Sequence, residues 1–281
     1  MFPVLVALAM LSAGPAPAEG LKVGLIGQGS AAQAQGRAFA DFVHTATGQE
    51  TTAAVFSEYD GLSDAVAQGQ VDIAFMPPIA LVRAQAKAKP RALLTVRRSG
   101  ETTYRSVLIV PLSSKLRSLS DLAGASNLKA AWVDVSSSAG YIFPKAHLLQ
   151  NHIDPAGIFN SQDFLGSHDA VCAAVAEAKV DVGAAFSDDG TSPAVHVTAC
   201  GDRASGVRIL STSAKIPNDT LVVRAGLPDA TRDAVSRAAL ALNSTPSGKE
   251  VLRSAFLADA FVPVVLADYI SVKEALAAFK K

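Results

Sequence analysis

Hydrophobic positions along this chain switch period repeatedly. Residues 21–26 (LKVGLI) form a short run rich in leucine and β-branched side chains, which predicts a strand. The spacing then lengthens: Phe39, Phe42 and Val43 share one face of a helix expected over 31–47, which Gly48 ends. A second strand is predicted at 52–56, a short helix at 59–68 closed by Gly69, and a third strand at 71–75 (VDIAF), broken by Met76-Pro77-Pro78. Helix 79–89 and strand 93–96 follow. Alternating strand and helix imply an α/β unit with a mainly parallel sheet. The strongly apolar strand 106–111 (SVLIVP) restarts the pattern. A turn or short helix opens at Ser120, then strands at 128–133, 163–165, 180–186, 207–211 and 221–224 are interleaved with helices at 140–151 and 169–178. The chain closes with helices at 228–243, 246–256 and 272–279. One pattern recurs: Val71-Asp72-Ile73-Ala74-Phe75 and Val180-Asp181-Val182-Gly183-Ala184 each follow a short amphipathic helix. Two similar βα units, or two lobes facing a common cleft, would both produce this echo.

Length and charge narrow the options. The 281 residues suffice for one large domain or two lobes. With 49% hydrophobic residues the chain can bury real cores. Lys plus Arg and Asp plus Glu both number 25, so the basic footprint of a nucleic-acid binder is missing. Any anion must therefore be held by local dipoles and a few donors. Residues 2–11 are an apolar run, and Ala16-Pro17-Ala18 fits a signal-peptidase pattern. We expect residues 1–18 to be a signal peptide, with a mature start at Glu19 and export to the periplasm; a buried first strand or helix is the other reading. Cys172 and Cys200 could pair after export or remain two buried thiols, and without a CxxC or a His partner they argue against a metal site.

Four places carry candidate chemistry. Gly27-Gln28-Gly29-Ser30-Ala31-Ala32 fits the dinucleotide fingerprint G-x-G-x-x-A between strand and helix. The nearest acid, Glu58, lies beyond the usual spacing, and a plain Gly/Ser turn fits as well. Asp134-Val135-Ser136-Ser137-Ser138-Ala139-Gly140-Tyr141 joins a strand to a helix. A cap needs one hydroxyl; three in a row at a helix start, beside free N–H groups, point to an oxyanion site. His168, in Gly166-Ser167-His168-Asp169, stands at another strand-to-helix junction, where an imidazole can meet an oxyanion or serve the structure alone. Asp188, Asp189 and Asp219 fall at strand ends, as solvated loop acids or as acceptors in a cleft. No G-x-S-x-G elbow occurs, so serine-nucleophile catalysis ranks low.

In order, these segments resemble the phosphate/phosphite/phosphonate-binding proteins of ABC importers. The likeness runs through FADFVHTATG (39–48), YDGL (59–62), GQVDIAF (69–75), YRSVLIV (104–110), LSDL (119–122), DVSSSAGYIFP (134–144), 166–171, KVDVG (179–183) and IPND (216–219). It implies a two-lobed α/β periplasmic binding fold of the second type, each lobe a mostly parallel sheet flanked by helices. Two crossings would lie near 104–108 and 211–222. The lobes would comprise 19–106 with 221–281, and 107–220. The site it implies consists of Tyr59, Tyr104, Ser136, Ser137, Ser138, His168, Asp188 and Asp219, with no cofactor and no metal. The chain departs from the family pattern at Ala139, where a third hydroxyl is usual, and at Met76-Pro77-Pro78, where a more polar turn is usual. The expected role is a monomeric, non-enzymatic carrier that hands a small oxyanion to an ABC permease. A module that reports ligand to a membrane sensor is the first alternative, and an NAD-dependent oxidoreductase using residues 27–32 is the second.

Overall fold

The computed structural model describes residues 20–188 and 197–279. The expected signal peptide (1–18) and Asp189 lie outside the described residues. Eleven strands and ten α-helices are assigned among them. Through the first unit run β1 (Leu21–Ile26), α1 (Gly29–Thr47), β2 (Thr51–Phe56), α2 (Tyr59–Ala67), β3 (Ile73–Met76), α3 (Pro78–Lys87) and β4 (Arg91–Arg97). The second holds β5 (Thr103–Pro111), α4 (Leu119–Ala123), β6 (Leu128–Trp132), α5 (Phe143–Gln150), α6 (Pro155–Ile158), β7 (Phe159–Phe164), α7 (His168–Ala176), β8 (Val182–Ser187) and β9 (Val207–Pro217). The chain then supplies β10 (Thr220–Val223), α8 (Asp229–Ala241), α9 (Pro246–Phe256), β11 (Ala260–Pro263) and α10 (Ile270–Ala278). No described helix is long and apolar enough to cross a membrane.

Two sheets result, ordered β11-β4-β10-β3-β1-β2 and β7-β6-β8-β5-β9. In each, three strands run parallel and a fourth is antiparallel beside the third: β10 next to β3, and β5 next to β8. Both reversed strands are the ones the chain enters directly from the other sheet. Without a helical crossover a strand arrives in the opposite sense, so each mostly parallel sheet carries a reversed strand at this point. The crossings are pinned to each other at Asn218. Its backbone N–H donates to the Thr102 carbonyl at 2.9 Å, and its Nδ2 donates to the Val96 and Glu101 carbonyls at 3.2 and 3.0 Å.

The recurring Val-Asp pattern has a structural counterpart. Asp72 Oδ2 accepts from the Lys22 N–H at 2.8 Å, and the Asp72 N–H returns a bond to the Lys22 carbonyl at 2.8 Å. Asp181 treats Lys129 in the same way, at 2.8 and 2.9 Å. Each unit thus fixes the register of its first and third parallel strands with one carboxylate at the strand start.

Hydrophobic clusters cover both faces of each sheet. Phe256 is the hub under α1, α8 and α9, meeting Phe39, Phe42, Phe75 and Phe261 edge-on at centroid distances of 4.7–5.5 Å. The cluster on the opposite face joins the two units: Ile79 and Leu81 of α3 lie in it with Ile142, Phe143 and Ala146 from the second unit and Val272 of α10. Around Val107 and Ala131 a third cluster includes Cys172 and Cys200, which form a disulfide with a Cα–Cα distance of 5.3 Å. That bond ties α7 to the 3₁₀ turns of Thr198–Gly206. Sequence patterning missed β11 and α6, both four residues long. A single turn such as α6 is too short to show a helical period. The third strand starts two residues later than expected because Val71 and Asp72 form its approach.

Candidate functional site

Between the two sheets, where the parallel strands end, lies a cavity of about 390 Å³. Among its lining residues are Tyr59, Tyr104, Ser137, Ser138, His168, Asp188 and Asp219. Seven of the eight residues singled out from sequence are therefore brought together. Ser136 is not among them. Asp134 Oδ1 takes the Ser136 N–H at 2.7 Å, which tightens the turn, and the Ser136 hydroxyl accepts from Arg83 instead. Arg83 also pairs with Asp60, so this serine is committed to α2 and α3 of the first unit.

The serine wall is built by the entry into α5. Ser137 caps a single turn of π-helix, Ser138–Ile142, its hydroxyl accepting from the Gly140 N–H at 3.1 Å. Gly140 is required there, since a Cβ would stand 2.4 Å from Val133. Ser137 and Ser138 are almost fully buried. The Tyr59 side chain lies close to that of Ser137 and the Tyr104 side chain close to that of Ser138, and the Ile79 N–H donates to Ser138 Oγ at 3.4 Å. Burial, reinforced by Asp219, drives Tyr59 up to about 12 and Tyr104 well above the usual phenol range. Both stay protonated and remain donors.

His168 opens α7, where the Ser167 hydroxyl accepts from the Ala170 N–H at 3.2 Å. Burial pushes its imidazole down to about 4, offset only in part by a hydrogen bond to the Ala184 backbone. The ring is neutral at pH 7. Nδ1 is buried with no hydrogen-bond partner among the described residues. Phe186 brackets the site, edge-on to His168 at 5.1 Å and to Tyr104 at 6.1 Å.

Carboxylates stand at the far side. Burial raises Asp188, with the Arg98 charge opposing. Asp219, on the second crossing, is held by Arg98 Nη2 at 2.7 Å. Burial works against the Arg98 charge, but Asp219 more than offsets it and the pKa is raised. Arg98, Phe186, Thr198, Ile26, Pro77 and Leu257 line the cavity and were not assigned to the site from sequence. The one available sign for Arg98 was a basic pair, Arg97-Arg98, at a strand end before a Ser-Gly turn. Residues 27–32, the dinucleotide alternative, form the turn into α1 with Gly29 at φ 72°, and none of them lines the cavity.

A family model described as "ABC transporter, phosphonate, periplasmic substrate-binding protein" matches residues 26–269. The chain belongs to this family. Among curated relatives, the phosphate-import protein PhnD of Mycolicibacterium smegmatis is 29% identical over 150 residues, 50% of this chain and 46% of the relative. The phosphonates-binding periplasmic protein of Escherichia coli is 26% identical over 197 residues, 69% of this chain and 57% of the relative. The chain thus spans about half the length of the curated relatives it matches. A binding-protein component of an ABC phosphonate transporter from Pseudomonas aeruginosa superposes with a TM-score of 0.77 at 24% identity, over 92% of this chain and 86% of that one. The two-lobed α/β fold expected from the ordered motifs is the fold of this family member.

Proposed function

We propose that this chain is a periplasmic solute-binding protein that captures a small phosphonate, phosphite or phosphate in the cavity between its sheets and delivers it to an ABC importer. One observation carries the reading: Ser137 and Ser138 at one helical entry and the neutral His168 at another line a single cavity. Helix starts and hydroxyls are donors without net charge, suited to an anion in a chain of zero net charge. Tyr59 and Tyr104 line the same cavity beside these serines. The lobes are 19–106 with 221–281, and 107–220, and they hinge at the crossings joined by Asn218. Residues 1–18 are removed on export, and the mature chain acts as a monomer that binds its ligand without altering it. Tyr59, Tyr104, Ser137, Ser138, His168, Asp188 and Asp219 are the ligand-facing residues.

The test is a thermal-shift screen of residues 19–281 with methylphosphonate, phosphite and phosphate. Ligand that binds only the folded state raises the melting temperature by mass action. Ser137→Ala with Ser138→Ala should abolish that shift. A double variant that responds like the wild type would place the site elsewhere.

A further inference from the structure

The cavity carries its own cation. Arg98 leaves the end of β4 and is held by three acceptors: Asp219 Oδ2 at 2.7 Å, the Leu257 carbonyl at 2.9 Å and the Phe256 carbonyl at 3.4 Å. The two carbonyls belong to the C-terminus of α9, where Leu257 caps the helix in the left-handed region at φ 50°. A helix end of this polarity favours a cation, and its last carbonyls have no partner within the helix. The guanidinium is therefore fixed in the wall rather than free to swing away. Its side chain is 21% exposed and that of Asp219 20%, so the pair is poorly hydrated.

This arrangement bears on what the cavity can hold. Asp219 lies close enough to Tyr59 and Tyr104 to oppose their ionisation, so it stands beside the donors that face Ser137 and Ser138. A bare carboxylate there would repel an oxyanion. It would also offer an ammonium group its strongest partner. Arg98 removes both effects at once. Asp188 is the other carboxylate in the lining, and it feels the same guanidinium. An ammonium placed between the two carboxylates would thus sit beside a fixed positive charge, in a site with little water to screen it.

We propose that Arg98 sets the ligand class: by neutralising Asp219 from within the wall, it admits oxyanions whose remaining substituent is uncharged and excludes those carrying an ammonium group. The inference rests on the oxyanion-binding role proposed above and goes further by naming the residue that discriminates within that class.

Calorimetric titration of methylphosphonate and 2-aminoethylphosphonate into residues 19–281 tests it. The wild type should prefer methylphosphonate by about tenfold or more. Arg98→Met keeps the apolar stem and removes the charge. It should weaken methylphosphonate and shift the preference toward 2-aminoethylphosphonate by about tenfold or more. Adding Asp219→Asn removes the exposed carboxylate, so R98M/D219N should lose the gain for the amine. Equal affinities in the wild type, or an unchanged preference in R98M, would overturn the assignment. Should R98M alone fail to fold because Asp219 is left unpaired, Arg98→Gln carries the test: it removes the charge, can still donate to Asp219, and must shift the preference toward 2-aminoethylphosphonate. If neither phosphonate, phosphite nor phosphate binds the wild type, the oxyanion-binding role itself fails and the inference falls with it; a wild type that binds phosphite and ignores the Arg98 substitution sinks the inference alone.

Discussion

Protonation of His168 should undermine the fold in a defined pH window, and replacing it should remove that sensitivity. The unfolded chain takes up a proton at this ring near 6.5, whereas burial delays uptake in the native state to about 4. Between these values the unfolded state binds more protons, so acidification favours it. Stability from the neutral ring is complete above pH 6.5 and is lost progressively as the pH falls to about 4. At about 1.4 kcal/mol per pH unit, the loss approaches about 3 kcal/mol. His168→Gln keeps a polar side chain of similar reach and does not titrate. Urea unfolding of both proteins, without ligand, at about pH 7, 5.5 and 4 gives the difference in stability at each. His147, whose pKa is also lowered by burial, is present in both and cancels. We expect the wild type to lose ground to the variant steadily from pH 6.5 downward. A stability difference that stays constant across this range would refute a buried neutral imidazole at the cavity wall.

Three further variants probe the scaffold. Cys172 and Cys200 are 28 residues apart, so replacing both with Ala should cost about 3–4 kcal/mol by the chain-entropy argument, read as a lower urea midpoint. Asp181→Ala frees one strand-start N–H and should cost about 1 kcal/mol in the same assay. Asp72→Ala should cost more, because Asp72 also holds Arg224 Nε at 2.7 Å; equal losses would contradict this account of the two locks.

The sequence by itself determined what depends on near neighbours. Gly48 at φ 70° ends α1 as its position after the last periodic residue required, and Pro77-Pro78 stop β3 and start α3. The serine run was legible as a donor cluster because strand, hydroxyls and helix start are contiguous. Both Val-Asp echoes were visible as a repeat, though the backbone amides they bind, at Lys22 and Lys129, were not. Only the tertiary structure decided which donors share a cavity. It committed Ser136 to Arg83, set Phe186 against His168, and joined Cys172 to Cys200. Above all it paired Arg98 with Asp219, 121 residues away, and anchored the guanidinium on the end of α9. Such contacts leave no period in the chain. They arise when hydrophobic burial folds distant segments onto one another, and that burial follows side-chain volume and shape rather than the identity of the polar groups it brings together.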